Sequence, residues 1–157
     1  FPGIPIKILY PDIHLTLLDS LNKRIRFLEE VCQTLQLSDV CCIHGRAEDA
    51  ARDSSHRESY DLCVSRAVAG LASLAEYCIP FVKEGGYFVA YKSAEIKEEL
   101  ALGGKAVSVL GGRVELVIDF CLPDSDYSRS LVKIKKIKPS PKKYPRKAGL
   151  PAKDPIL

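Results

Sequence analysis

The chain has 157 residues, of which 46% are hydrophobic and 27% charged, enough for one globular domain with a real core. No apolar run approaches the roughly 20 residues of a membrane span, so no membrane partner is expected. The net charge of +3 is lopsided: residues 1–128 carry 13 Lys/Arg against 19 Asp/Glu, a net of −6, and residues 129–157 carry 10 against one, a net of +9. An acidic body with a basic end suits a polyanion approached from one side, and equally a solvated tail.

The opening "FPGIPIKI" reads as the tail of a turn followed by the apolar run Ile4, Ile6, Ile8 and Leu9. It shows no charged lead before an apolar signal segment, and with no initiator Met an upstream targeting signal stays open. "HLTLLDS" (14–20) is a short buried-strand pattern ending in an acid. "LNKRIRFLEEVCQTLQL" (21–37) places Leu21, Ile25, Leu28, Cys32 and Leu35 on one helical face, with Ser20 as N-cap. Strands are predicted at 39–45 and 60–67, with a weak helix or loop at 47–59 between them. A helix over 70–82 turns Leu71, Leu74, Ala75, Cys78, Phe81 and Val82 inward, and a glycine turn then leads into a strand at 85–93.

Residues 94–112 are helical at both ends, with Gly103-Gly104 weakening or kinking the middle. Two alternating strands, 113–122 and 129–137, follow without a helix between them and predict an antiparallel hairpin at one sheet edge. Five prolines after Lys138 predict no regular structure there, which divides the chain into a domain at 1–137 and a basic, Pro-rich tail at 138–157. Strand–helix alternation with short apolar strands predicts an α/β fold built on a mostly parallel, doubly wound sheet.

The six cysteines form no C-x-x-C pair and sit mostly among aliphatic residues. They read as small buried hydrophobes in a reducing cytoplasm, in preference to disulfides or zinc ligands. The three histidines show no ligand spacing, so no metal is expected.

Ligands of open α/β sheets bind at the C-terminal strand ends. Four such ends are polar: Asp19, the stretch Arg46-Ala47-Glu48-Asp49, Ser65-Arg66, and Lys92. Asp19 suits a carboxylate accepting ribose hydroxyls, or an acid facing a helix N-terminus. Glu48 and Asp49 suit an adenine amino group, or a helix cap. Arg66, a charge directly after a buried strand, calls for a partner, either a ligand or a structural ion pair with Glu48 or Asp49.

Taken together, "FPGIPIKI", "LTLLDSLNKRIRFLEEV", "IHGRAED", "YDLCVSRAVAGL", "EYCIPFVKEGGYFVAYK", "RSLVKIKKI" and "KKYPRKAGLPAKDPI" resemble the bacterial small-subunit ribosomal RNA guanine-N7 methyltransferases, formerly called glucose-inhibited division protein B. The resemblance runs over essentially the whole chain, in order and spacing. It implies a class I (Rossmann-like) methyltransferase fold, S-adenosyl-L-methionine as donor, and methylation of one guanine of 16S ribosomal RNA, with the small ribosomal subunit as partner, in the cytoplasm. It implies Phe1, Ala47, Glu48 and Arg66 at the cofactor, with Asp19 as the ribose acid of the wider fold, and Arg129, Lys142, Lys143, Arg146 and Lys147 at the RNA or closing over the site. No catalytic residue is implied, because guanine N7 carries an in-plane lone pair and no proton, so its methylation requires no general base.

The family places a strand and a D-x-G-[ST]-G-A-G turn before "FPGIP", preceded by a helical N-terminal region. These 157 residues carry neither, so a sheet without its first strand, weak or absent cofactor binding, and self-association through exposed edges are expected of them. Two other readings stand beside this one. A dinucleotide-dependent oxidoreductase shares the sheet and the Asp19-type acid, but it predicts neither the terminal hairpin nor the basic end. A non-catalytic RNA-binding domain accounts for the basic end, but not for the polar strand ends.

Overall fold

The computed structural model describes residues 2–66, 69–93 and 96–157. In chain order the elements are α1 (Gly3–Leu9), β1 (Leu15–Asp19), α2 (Asn22–Thr34), β2 (Val40–His44), α3 (Ala47–Ala50), β3 (Tyr60–Arg66) and α4 (Leu71–Cys78). A 3-10 turn (Ile79–Phe81), β4 (Val82–Ser93), α5 (Ile96–Val109), β5 (Gly112–Cys121), β6 (Ser128–Lys136) and α6 (Leu150–Lys153) complete the chain. They group into two compact units, Phe1–Ala47 and Glu48–Leu157. Residues 138–157, expected as a separate tail, fall within the second unit.

In the first unit β1 and β2 pair in parallel, from Leu15 opposite Val40 to Asp19 opposite His44. Ile4, Leu17 and Cys32 form its core. The opening residues, read as a turn and a loose apolar run, are instead a helix that packs on β1. A Cβ on Gly3 would lie 3.0 Å from side-chain methyls of Leu15 and Leu17, so glycine permits this close approach. Lys7 of α1 is fully buried, and its ammonium donates to the carbonyls of Pro11 (2.6 Å) and Ile13 (2.5 Å), which offsets much of the desolvation. On α2 the inward face is narrower than predicted. Ile25 and Cys32 are buried, while Leu21 and Leu35 are exposed. Ser20 does not cap the helix. The N-cap position falls on Leu21, whose N–H is bound by Asp19 from outside.

The second unit holds a four-stranded sheet in the order β3-β4-β6-β5. β3 and β4 are parallel, and β6 lies antiparallel between β4 and β5, giving the expected hairpin. β4 begins at Val82, before the glycines. Register shifts between Tyr60 and Leu62, and the strand passes Asp61 so closely that a Cβ on Gly86 would sit 2.7 Å from its carbonyl oxygen. Leu71, Leu74, Ala75, Ile79, Phe88, Ala90, Val107, Leu110, Val132 and Ile134 make the core between the sheet and α4/α5. Pro80 lacks an N–H to continue α4, and the chain tightens there into the 3-10 turn.

α5 runs unbroken through Gly103-Gly104, against the expected kink. A Cβ on Gly103 would come within 2.9 Å of the Leu71 side chain, so this glycine is where α4 and α5 touch. The Pro-rich segment after Lys138 also differs from expectation. It contains one helical turn, α6, and it buries Tyr144.

All six cysteines are free thiols: Cys32 and Cys78 are buried, whereas Cys41 and Cys121 are exposed, contrary to the uniform burial expected. Burial, with Cys32 and Glu29 nearby, pushes the Cys42 thiol up to about 11, which argues against a reactive thiolate there. Among the described residues no helix is long and apolar enough to cross a membrane. No group of three His, Cys, Asp or Glu side chains among them suits a metal ion.

Candidate functional site

The polar strand ends stand as follows. Asp19 closes β1, and its Oδ1 accepts the Leu21 N–H at 2.8 Å while Oδ2 pairs with Arg24 Nη1 at 3.3 Å. The carboxylate therefore restrains the turn into α2, and its remaining lone pairs suit hydroxyl donors. The next strand end is tied to the same turn, since Gly45 N–H donates to the Asp19 carbonyl (3.0 Å) and His44 Nε2 meets the Ser20 carbonyl (3.1 Å). Ala47 starts α3. Phe1 lies outside the described residues.

Arg66 closes β3 exposed, and among the described residues it makes no ion pair, including the suggested ones to Glu48 or Asp49. Glu48 has a different tie: it is buried, and its Oε1 accepts the Gly149 N–H at 2.8 Å. Lys92, the last residue but one of β4, sets its ammonium on the Ala69 carbonyl (2.7 Å) and against Glu99 Oε1 at 2.5 Å, an ion pair in a nearly buried position.

The basic segment is held by partners far away in sequence. Arg57 donates to the carbonyls of Ser140 (2.9 Å), Pro141 (3.3 Å) and Tyr144 (2.8 Å), and Arg52 Nε to that of Pro145 (3.0 Å). Glu58 accepts the Ser140 N–H (2.6 Å) and pairs with buried Lys136 (2.9 Å), whose ammonium also donates to Ser140 Oγ (2.8 Å). Burial alone would raise the Glu58 pKa, but the Ser140 N–H and the Lys136 ammonium outweigh it and hold the carboxyl below its ordinary range. Burial in turn pushes Lys136 down, against the pull of Glu58. Ser73 Oγ donates to the Pro151 carbonyl at 2.7 Å.

Arg146 has the most complete set of partners. Its backbone N–H and Nε donate to Glu76 Oε1 (2.6 and 3.1 Å), Nη2 donates to Glu76 Oε2 (2.8 Å) and to the Asp154 carbonyl (2.7 Å), and Nη1 meets Asp154 Oδ2 (3.3 Å). Glu76 is 0% exposed, and its hydrogen bond raises the Arg146 pKa further. This guanidinium is engaged within the fold by Glu76 and Asp154. Lys142, Lys143 and Lys147 are exposed, and Lys143 lies over the Tyr144 ring. Arg129 is the second residue of β6, donating to the Ser128 carbonyl (2.8 Å) with its guanidinium over Tyr127.

The inward residues Glu58, Glu76, Arg57 and Lys136 were not singled out from sequence. A usable signal existed for Glu76, the one acid in the otherwise apolar "LASLAEYC". A lone charge on a helix that is buried all round requires a partner.

The family model described as "GidB: rRNA small subunit methyltransferase G" matches residues 1–131. The chain belongs to the GidB family. It is 56% identical over 156 residues to the "Ribosomal RNA small subunit methyltransferase G" of Clostridium botulinum (strain Loch Maree / Type A3), covering 99% of this chain and 65% of that protein. To the protein of the same name from Alkaliphilus oremlandii (strain OhILAs) it is 57% identical, with the same shares covered. The chain thus spans about 65% of the length of these curated GidB relatives.

Among solved structures it is similar to NSun6 from Pyrococcus horikoshii with SFG, at a TM-score of 0.64, 16% identity, 84% of this chain and 44% of that one. It is also similar to M. jannaschii TYW2 in complex with AdoMet, at a TM-score of 0.61, 16% identity, 85% of this chain and 63% of that one. At such identities the likeness is one of fold, and this GidB chain has the class I methyltransferase fold that the sequence resemblance implied. The match to the GidB family bears out the sequence resemblance.

Proposed function

We propose that the full-length protein transfers a methyl group from S-adenosyl-L-methionine to N7 of a guanine in 16S ribosomal RNA of the small subunit, in the cytoplasm. The observation that carries this reading is the identity of more than half the residues, over nearly the whole chain, to proteins named ribosomal RNA small subunit methyltransferase G. The residues present fit the donor's chemistry. Asp19 is an acceptor at a strand end that still has lone pairs for ribose hydroxyls. Glu48 is a carboxylate beside the Ala47 backbone, with one oxygen held and the other without a protein partner among the described residues. Arg66 is an exposed cation at a third strand end.

When bound, the donor supplies an electrophilic methyl on a sulfonium centre. The chain's residues then bind and orient, and none has to remove a proton, because N7 offers a free lone pair. Lys142, Lys143 and Lys147, with Arg129, supply phosphate contacts, while Arg146 acts through the fold beneath them. The chain of 157 residues self-associates. The alternate residues Leu116, Ile118 and Phe120 of edge strand β5 are exposed and support that reading. A monomer by sedimentation at high concentration would contradict it.

The functional test incubates full-length protein with tritium-labelled S-adenosyl-L-methionine and either 30S particles or 16S RNA. Label is expected in the RNA, and Arg66→Ala is expected to lower kcat/KM for the donor at least tenfold, the scale of one lost charged contact. Absence of label in any RNA would overturn the reading.

A further inference from the structure

Resting on the proposed cofactor role of Glu48, we infer that Gly149 is a positioning residue: its backbone N–H holds the Glu48 carboxylate in the orientation the cofactor meets. Three observations carry this. Glu48 is 6% exposed, and Gly149 N–H lies 2.8 Å from its Oε1, a contact that spans 101 residues of sequence. A charged acceptor buried to that degree takes its geometry from its donor, because no water competes for the lone pair.

The donor itself is fixed. Gly149 has φ 82°, a left-handed conformation open to glycine and costly for most other residues. The segment before it is anchored to the same stretch of chain that carries Glu48, through Arg52 Nε to the Pro145 carbonyl at 3.0 Å and Arg57 to the Ser140 and Tyr144 carbonyls at 2.9 and 2.8 Å. The strap therefore fixes where the carboxylate points, as well as closing over the core. Space is not the reason for glycine here, since a Cβ at Gly149 would meet nothing within 4 Å. Gly149→Ala thus disturbs the backbone that aims the N–H without adding a clash. Gly149→Asn is the conservative variant, because asparagine tolerates the left-handed region.

The test measures the dissociation constant of S-adenosyl-L-methionine by calorimetry on the full-length protein and its variants. Gly149→Ala is expected to weaken binding about tenfold, the scale of one charged hydrogen bond misaligned, and Gly149→Asn to bind within about twofold of the parent. Gly149→Ala placed on Glu48→Ala is expected to add no further loss, because the donor acts through the carboxylate. The inference is overturned if Gly149→Ala leaves the constant unchanged while lowering the melting temperature. It is overturned equally if its effect is as large without Glu48 as with it. A parent protein that binds no S-adenosyl-L-methionine would instead remove the cofactor reading, and this inference with it.

Discussion

Arg146 and Glu76 show how one pair of side chains decides where a whole segment lies. Glu76 is fully buried on α4, and Arg146 answers it with two side-chain nitrogens and a backbone N–H. Arg146→Ala would leave that carboxylate with the backbone N–H but no counter-charge, and a loss of roughly 3–5 kcal/mol is expected in urea unfolding. Replacing both members with Met should recover most of the loss, because the desolvation of both charges disappears together. A double variant as unstable as Arg146→Ala would refute the ion-pair account.

Glu58 carries a pH signature. Its folded-state pKa is depressed below the ordinary 4.5, so its contribution is present above that value and is lost as pH falls through the folded pKa. Acid titration of unfolding free energy should show this loss in the parent protein, and Glu58→Gln should flatten it. An unchanged acid limb in Glu58→Gln would contradict the assignment.

At the scale of elements, the crossing of α4 and α5 turns on Gly103. Its neighbour Gly104 has open space where a Cβ would go, whereas at Gly103 that atom would collide with Leu71. Gly104→Ala should stabilise by about 0.5–1 kcal/mol through helix propensity, and Gly103→Ala should destabilise by roughly 1–3 kcal/mol through overpacking. Equal effects in thermal unfolding would show that the helices do not meet there.

The strands and long helices were legible because their apolar runs are local: "LASLAEYCIPFV" declares its inward face over a dozen residues. The continuity of α5 was not legible, because a glycine pair reads as a break until the partner helix is known. The fold of the Pro-rich segment was hidden for a related reason. It is held by pairs such as Arg57–Ser140 and Glu48–Gly149, 83 and 101 residues apart, which leave no periodic trace in sequence. For the candidate site, Asp19, Glu48 and Arg66 could be found as polar residues at or just after strand ends. Their actual partners, Leu21 N–H for Asp19 and Gly149 N–H for Glu48, could not. The resemblance to a family supplied roles that residue types alone left open.

For the molecule as a whole, the acidic body and basic end form the charge asymmetry on which the proposed RNA contact rests. Part of the basic end is structural, since Lys136 and Arg146 are paired within the fold. Lys142, Lys143 and Lys147 are exposed, and the proposal assigns them to phosphate. Changing all three to Gln in the full-length protein should weaken RNA binding and make the slope of log K against log salt shallower by about 2. An unchanged slope would place the phosphate contacts elsewhere.

The most direct measurement of the central claim identifies the product. The full-length protein is incubated with S-adenosyl-L-methionine and 30S particles lacking the modification, and the 16S RNA is digested to nucleosides for mass spectrometry. 7-Methylguanosine is the predicted product; a different methylated nucleoside, or none, would contradict the account.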